Sequence, residues 1–367
     1  MPRILLLASI SKAFYNFSFE FLEELNERGY EVILSIPEDP LNPEFERIGC
    51  TVIPAPLNRH GMNPFAELRL LGEYIYLMRK WKPDVVMSFT IKPNTYGGMA
   101  AGLCKVPFLA SVTGMGAVFH NESTVNKVIR QMLKTGLKNA SCVFFQNDES
   151  LSEFQKRKMF SCRFCRIPGS GVNLEKRPLL TYPETEKIRF LMEARASREK
   201  GVSEYISAAK KVLKSHPECE FHYAGFTEEG EYGEMLRRAA DEGVIHYHGF
   251  LNNAQVEELM KTVHCVVLPS YHEGMSNVLL EGAAYGRPLL CSDVSGCRET
   301  VIPGKSGLTF AARSAEALQA ALEKFIALSA EEKREMGIAG RKHVEEHFDR
   351  QRTVAGYFSE IQKVLSL

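Results

Sequence analysis

The sequence predicts an α/β protein built from two doubly wound domains, and three observations lead to that prediction. The chain has 367 residues, 45% of them apolar and 25% charged, which is too long for one ordinary core and suits two. Short, continuously apolar segments alternate with helical patterns, as parallel strands covered by helices on both faces do. A Gly- and Pro-rich segment, residues 166–180, divides this alternation into two series.

The first series begins with the apolar run of residues 4–8, which is typical of a buried strand and not of a signal peptide. A helix is expected around residues 19–27, closed by Gly29. The further strands predicted in this half are residues 30–35, 50–54, 84–89, 107–112 and 142–146. We therefore expect residues 1–170 to form an N-terminal domain.

The second series predicts strands at residues 188–192, 220–224, 245–248, 265–269 and 288–292, with helices between them, notably 203–215 and 254–262. Residues 171–350 would form this second domain, and residues 351–367 an amphipathic C-terminal helix. Ligands of such sheets bind beyond the carboxyl ends of the strands, so we expect the active site in a cleft between the two domains.

Composition excludes some classes of protein. The formal net charge of zero gives no whole-chain argument for a nucleic-acid binder. Nine cysteines are scattered along the chain, several inside apolar runs, which indicates buried thiols in a reducing, cytoplasmic compartment. Cys162 and Cys165 form a single CxxC without a second pair, so no metal site is expected there. No stretch approaches the roughly 18 apolar residues that a membrane span needs.

The segment 268–293, LPSYHEGMSNVLLEGAAYGRPLLCSD, carries the most chemistry. A buried strand ends in it, a polar loop with Glu273 and Gly274 follows, and a helix starts near Ser276. The amides expected to be free at the start of this helix are those of Met275, Ser276 and Asn277. Free amides at a helix N-terminus favour a bound anion, most naturally a phosphate.

Two glutamates lie in this segment, Glu273 before the helix and Glu281 within it. Their carboxylates can accept hydrogen bonds from vicinal sugar hydroxyls, although each alone could equally be a solvated surface charge. The helix residues around Glu281 are apolar almost all round, so its carboxylate should be partly buried and in need of a partner. That burial favours a ligand-binding role for Glu281.

A second segment, FLMEARASREKG, places Arg195, Arg198 and Lys200 on the loop that follows the first strand of the second domain. Cations at this edge of a sheet suit a diphosphate leaving group, which gains negative charge as a glycosidic bond breaks. The alternative is a solvated basic loop. The neighbouring helix N-terminus favours the diphosphate.

These residues carry a family resemblance. EGMSNVLLE resembles the E-x7-E motif of the family 4 retaining glycosyltransferases, which have the GT-B fold. Seven segments, in order along the chain, resemble blocks of one subgroup of that family: FTIKPNTYG (89–97), VTGMGAVF (112–119), IPGSGVN (167–173), AR-x4-KGV-x-EY (194–205), HGF (248–250), LPSYHEG (268–274) and SGCRE (295–299). The subgroup transfers sugars onto lipid-linked acceptors in bacterial capsule, O-antigen and N-glycan assembly.

The resemblance implies a UDP-sugar donor, a polyprenyl-diphosphate-linked saccharide acceptor, and no separate cofactor. The C-terminal helix would return to the first domain. In the second domain, the resemblance implies that Glu281 binds the ribose, Glu273 contacts the transferred sugar, and Arg195 and Lys200 bind the diphosphate. The backbone near Gly249 and Phe250 would contact the uracil. In the first domain, Gly114 and Gly116 would belong to a loop that faces the sugar and the acceptor. Members of the family retain the anomeric configuration of the sugar without an assigned protein nucleophile. The resemblance therefore implies mostly electrostatic catalysis, in which a phosphate oxygen of UDP accepts the proton of the acceptor hydroxyl.

The chain departs from the family pattern in two places. The glycine-rich loop after the first strand is here SISKAFYN, and the cleft histidine is absent from its usual position, with His120 just after it. The sequence contains no DxD motif, so a metal-dependent donor site is not expected, and no GxGxxG, which argues against an NAD enzyme. The open alternatives are a UDP-sugar 2-epimerase of the same fold and a non-catalytic homologue that only binds nucleotide.

A membrane surface is the last expected partner. Residues 51–170 carry sixteen Lys/Arg and seven Asp/Glu, and Lys127, Arg130, Lys134 and Lys138 recur at helical spacing. Residues 63–82 combine large apolar side chains with a basic end. Such helices either lie in an anionic membrane interface or are ordinary core helices with a solvated basic face. A lipid-linked acceptor favours the first, on the inner face of the plasma membrane.

Overall fold

In the computed structural model the chain forms two compact units. Unit 1 comprises Met1–Ser170 and Gln351–Leu367, and unit 2 comprises Gly171–Arg350. The structure describes residues 1–57, 63–115, 117–120, 122–185, 187–227 and 230–366, and of residues 117 and 120 only the backbone.

Unit 1 alternates strands and helices. Its strands are β1 (Arg3–Leu7), β2 (Glu31–Ile36), β3 (Thr51–Pro54), β4 (Val85–Phe89), β5 (Phe108–Val112), β6 (Ala140–Phe145) and β7 (Arg163–Arg166). Its helices are α1 (Ser11–Glu27), α2 (Asn42–Arg47), α3 (Pro64–Trp81), α4 (Gly98–Cys104), α5 (Ala117–His120), α6 (Thr124–Leu137) and α7 (Asp148–Lys156), and a π-helical turn, Pro93–Gly97, precedes α4.

The strands of unit 1 form one parallel sheet in the order β3-β2-β1-β4-β5-β6-β7. The inner strands are mostly apolar because helices cover both faces of the sheet, and every residue of β4 and β5 is buried. The chain reverses its direction of winding between β1 and β4, which is the switch point of a doubly wound sheet.

The C-terminal helix α14 (Arg350–Leu365) packs on the sheet of unit 1. Tyr357 lies 5.1 Å from Phe21 and 4.9 Å from Phe144, measured between ring centroids, and Ile361 is fully buried beside them. The aromatic rings of α14 therefore complete one face of the unit 1 core.

Unit 2 has strands β8 (Arg189–Glu193), β9 (Glu220–Ala224), β10 (His246–Tyr247), β11 (Cys265–Leu268), β12 (Leu289–Ser292) and β13 (Gly307–Phe310). Its helices are α8 (Val202–Ser215), α9 (Glu231–Asp241), α10 (Asn253–Met260), α11 (Asn277–Ala284), α12 (Ala315–Ile326) and α13 (Ala330–His347). Short 3-10 turns occur at Arg198–Lys200 and Arg298–Thr300.

The sheet of unit 2 is also parallel, in the order β10-β9-β8-β11-β12-β13. Its switch point lies between β8 and β11, so the loops that follow these two strands emerge side by side at one edge of the sheet. The first of these loops carries the cations of the expected donor site, and the second carries Glu273 and leads into α11, which carries Glu281.

The predicted strands all occur, with ends within a few residues, but three elements differ. Helix α1 starts at Ser11, well before residue 19, because Phe14 and Phe19 both pack toward Phe45 and extend its buried face. Strands β7 and β13 were not predicted. Each is a four-residue strand at the end of its sheet, with one neighbour, and so has little need of a continuous apolar run.

Candidate functional site

The loop after β8 is held against the end of β11 by a glycine. Gly201 has φ of 74°, a left-handed conformation, and a Cβ placed on it would lie 2.2 Å from the carbonyl oxygen of Pro269. A side chain there would collide with backbone, so only glycine lets the turn that carries Lys200 approach this loop. The Tyr271 amide also donates to the Glu199 carbonyl at 2.8 Å.

Lys200 and Glu273 meet across these two loops. The Lys200 ammonium donates a hydrogen bond to Oε1 of Glu273, and the Ser270 hydroxyl donates to the same oxygen at 2.7 Å. The Glu273 side chain in this ion pair is only 12% exposed. A cation and a carboxylate are thus fixed together at the switch point of the sheet.

Helix α11 begins at this edge with Ser276 as its N-cap, and the Ser276 hydroxyl oxygen accepts from the Leu279 amide at 3.4 Å. The prediction that the Ser276 amide is free is wrong, because it donates to the Gly296 carbonyl at 2.8 Å. The Asn277 Oδ1 is buried and accepts no hydrogen bond from the described residues. The Met275 side chain is buried in the core of unit 2.

Glu281 lies on α11 in an ion pair with Arg177. The Arg177 guanidinium stands 3.4 Å from Oε1 of Glu281, and the two side chains are 15% and 18% exposed. Burial raises the pKa of Glu281 above its ordinary value, while Arg177 and then Arg350 oppose this rise. The expected partner of the buried carboxylate is therefore an arginine from the segment between the two units' sheets.

A second carboxyl group, Glu193 at the end of β8, shares this environment. Its Oε2 is buried and forms no hydrogen bond within the described residues. Burial, and next the negative charge of Glu281, raise the pKa of Glu193 to about 8, with Arg177 opposing them. Glu193 is thus mostly protonated at neutral pH, which reduces the negative charge beside Arg177.

A pocket of about 200 Å³ opens beside Glu193. Its walls include Arg195, Gly225, Phe226, Phe250 and Val278. The Phe250 side chain is 55% exposed, and the Gly249 carbonyl accepts from the Gly225 amide at 2.7 Å. The pocket offers an aromatic surface, a guanidinium and backbone polar groups, which is the mixture that a nucleotide needs.

In unit 1, Gly114 follows β5 at the carboxyl edge of the sheet, with φ of 148°. Gly116 lies outside the described residues, and for His120 the structure gives only the backbone at the end of α5. The prediction that Arg130 belongs to an exposed basic face of α6 is wrong, because Arg130 is 5% exposed and pairs with Glu122 at 2.7 Å.

Family models match both units. The model described as "Glycosyl transferase 4-like" matches residues 3–147, in unit 1, and the model described as "Glycosyl transferases group 1" matches residues 180–343, in unit 2. The chain therefore carries both domains of a two-domain transferase, in order. It is a GT-B glycosyltransferase.

Relatives of this glycosyltransferase agree in length and fold. The N,N'-diacetylbacillosaminyl-diphospho-undecaprenol alpha-1,3-N-acetylgalactosaminyltransferase of Campylobacter jejuni is 28% identical over 356 residues, 92% of each protein. Sucrose-phosphate synthase from Thermosynechococcus elongatus superposes with a TM-score of 0.82 at 18% identity, over 100% of both chains. Anabaena HepE in complex with UDP-glucose superposes with a TM-score of 0.80 at 16% identity, also over 100% of both chains.

Three residues that the structure brings to the candidate site were not predicted from the sequence: Arg177, Glu193 and Ser270. Arg177 lies in a segment interpreted as a linker, where no periodicity marks it. Glu193 did leave a signal, since it is the one charged residue at the end of the apolar run FLME. A charged side chain at the carboxyl end of a switch-point strand indicates a site residue.

The structure describes no helix that is both long and apolar enough to cross a bilayer within the ranges given above.

Proposed function

We propose that this glycosyltransferase moves a hexose or N-acetylhexosamine from a UDP-sugar to a polyprenyl-diphosphate-linked saccharide, with retention of configuration and without a metal ion. The observation that carries the proposal is the Lys200–Glu273 contact at the switch point of unit 2, beside the pocket of Arg195 and Phe250. The name of the Campylobacter relative, which includes a diphospho-undecaprenol, supports the acceptor class, and HepE, solved with UDP-glucose, supports the donor class.

Glu281 would accept hydrogen bonds from the ribose hydroxyls. Arg177 pairs with this carboxylate and opposes the rise in the pKa of Glu281 that burial causes. Glu193, protonated beside them, would add a hydrogen-bond donor without adding charge. The uracil would lie in the adjacent pocket against Phe250, with backbone groups near Gly249 within reach.

The diphosphate would lie at the switch point. Arg195 and Lys200 supply positive charge, and the amides of Asn277 and Val278 lie in the first turn of α11, where the helix dipole favours an anion. Ser276 would contact the diphosphate through its hydroxyl, because its amide already donates a hydrogen bond to the Gly296 carbonyl. Lys200 would then bridge the phosphate and Glu273, which contacts the transferred sugar.

The transfer needs one bond to break and one to form at the anomeric carbon. The bond to the UDP oxygen breaks and leaves negative charge on the diphosphate, which Arg195 and Lys200 stabilise more strongly than they stabilise the intact donor. The acceptor hydroxyl attacks from the face that UDP leaves, and its proton passes to the departing phosphate oxygen. This accounts for retention without a protein nucleophile, and the cations take the place that a metal ion would otherwise occupy.

The direct test is product analysis with purified full-length protein, a panel of UDP-sugars, and a polyprenyl-diphosphate-linked saccharide. Transfer with the anomeric configuration of the donor, undiminished in excess EDTA, is expected. Epimerisation of UDP-N-acetylglucosamine without acceptor would refute transfer in favour of the epimerase. Binding of UDP with no turnover of any sugar would instead indicate the non-catalytic homologue.

We also propose that α3, α4 and α6 of unit 1 contact the membrane that holds the acceptor. α4 packs against both other helices, and together they expose large apolar side chains at Phe65, Leu68, Tyr76, Leu103, Val125 and Val128. Phe65 is 82% and Leu68 65% exposed. Lys127 on α6 and Lys138, which follows its last residue, are exposed, so the surface combines apolar and basic groups, as interfacial helices do.

Flotation with liposomes tests this contact. The wild-type chain should float with vesicles containing anionic lipid, and the double variant Phe65→Glu, Leu68→Glu should not. Ile338→Glu is the control, because Ile338 is also an exposed apolar residue but lies on α13 of unit 2. Failure of the wild-type chain to float, even at low salt, would refute the membrane contact.

A further inference from the structure

A cluster of histidines lies on one face of the outer strands of unit 2. Glu220 and His222 are two residues apart on β9, and His246 begins β10, which His248 follows. Alternate residues of a strand point to the same face. His246 pairs directly with His222 in the register of the two strands, so imidazoles from both strands meet.

The ligand atoms of three of these residues converge. One nitrogen each from His222 and His246 and one carboxylate oxygen of Glu220 all lie within 4.8 Å of one another. Zinc–ligand distances of about 2.0–2.2 Å place two ligand atoms at most about 4.4 Å apart. The site therefore closes with a side-chain movement of a few tenths of an ångström, and His246, whose ring is exposed, is free to make it.

His222 supplies the second observation. The residue is 8% exposed, and its Nε2 is buried without a hydrogen bond to any residue that the structure describes. Oε2 of Glu220 lies 3.8 Å from this Nε2, beyond hydrogen-bond distance. A buried ring nitrogen without a partner costs free energy, which a bound ion would recover.

His248 orients this ring. Nδ1 of His222 and Nε2 of His248 are 2.9 Å apart, so one nitrogen donates to the other. When His222 donates through Nδ1, its Nε2 carries a lone pair that faces Glu220. Metal-binding histidines commonly use their second nitrogen in this way, which fixes the tautomer and the ring orientation.

The ligand atoms and the charges of the cluster indicate which class of metal ion it would bind. His222 and His246 each offer an imidazole nitrogen, and Glu220 offers a carboxylate oxygen. Two imidazoles with one carboxylate suit zinc or a similar transition-metal ion rather than magnesium or calcium. Lys187 and Arg189 pair with Glu220, each at 2.6 Å, and their positive charge weakens the site relative to one without them.

We propose that Glu220, His222 and His246 bind a zinc-class divalent ion that fastens β10 to β9. β10 has two residues and pairs with β9 alone in the described sheet, so it has few contacts of its own. Gly249 and Phe250, which lead into the candidate nucleotide pocket, follow β10 after the single residue His248. The ion would be structural, at the half of the strands away from the carboxyl edge, and would stiffen the wall of that pocket.

The test uses the full chain, freed of metal by chelation and dialysis. Titration with ZnCl2 by calorimetry should show one saturable site per chain, CoCl2 should give the visible absorption of a site with nitrogen ligands, and MgCl2 should give no heat. His246→Ala should weaken zinc binding by at least about 100-fold. His246 is chosen because it is exposed, so its removal leaves the core intact, as circular dichroism would verify.

His216→Ala is the matched control, because His216 also lies beside a carboxylate, 3.3 Å from Glu218, but outside the cluster. It should bind zinc as the wild type does. Wild-type affinity in His246→Ala, or no saturable zinc binding, would overturn the proposal. Sugar transfer is also measured for the wild type and for His246→Ala, each with and without EDTA. If EDTA lowers the transfer rate of the wild type but not that of His246→Ala, the effect comes from this ion; an equal loss in both would come from a metal at the donor site.

Discussion

Replacing Glu193 by glutamine tests the electrostatics of the site without assuming any ligand. The pKa of Glu193 is about 8 in the folded chain against an ordinary value of 4.5. At a pH between these two values, Glu193 is deprotonated in the unfolded chain but still protonated in the folded chain. The free energy of unfolding of the wild type therefore falls as pH rises, by about 1.4 kcal/mol per pH unit from this one group.

Glutamine resembles the protonated acid in shape and stays neutral at every pH. Glu193→Gln should therefore match the wild type in stability only below the ordinary pKa of 4.5, and its advantage should grow as the pH rises from 5 to 7.5. The window of about 2.5 pH units corresponds to a gain of about 3 kcal/mol. Above a pH of about 8 the folded wild type also loses the proton, so the difference stops growing.

Urea unfolding followed by circular dichroism at the two pH values measures this gain. If the units unfold separately, the change should be confined to the transition of unit 2. Glu335→Gln is the control, because Glu335 is exposed on α13 and its replacement should change stability little at either pH. A difference between Glu193→Gln and the wild type that is the same at both pH values would refute the reasoning.

Three further predictions concern the proposed donor site and the backbone contact at Gly201 that positions it. Glu281→Ala should weaken UDP binding by about 100-fold or more in calorimetry, since two hydrogen bonds to a charged group are lost; unchanged affinity would remove Glu281 from the site. Lys200→Met should lower the transfer rate by about 100-fold and change the affinity for the donor less, because its charge acts mainly on the departing diphosphate; equal losses in both would contradict this role. Gly201→Ala should cost about 3 kcal/mol of unfolding free energy or more, and Gly243→Ala about 1 kcal/mol, measured by urea unfolding. Both glycines have positive φ, but only Gly201 faces backbone, at Pro269, so equal costs would show that this contact is unimportant.

Much of the fold follows from the sequence because its signals are local. The inner strands of both sheets are short apolar runs, and burial on both faces of a parallel sheet requires that pattern wherever such a strand occurs. The edge strands β7 and β13 lack it, since they have one neighbour each, and they became visible only in the sheet. The N-terminal half of α1 was likewise decided by Phe45, far from it in sequence.

The sequence by itself also determined which loops carry the candidate site, since Lys200, Glu273 and Glu281 follow strands whose order along the chain indicates a doubly wound sheet. Only the tertiary structure decided their partners. Arg177, which is 104 residues from Glu281, is its counter-ion, and the Gly296 carbonyl takes the Ser276 amide that the helix alone would leave free. Contiguous residues set periodicity and turns, whereas the charge state and hydrogen bonds of a side chain depend on burial and on neighbours that the fold brings from elsewhere in the chain.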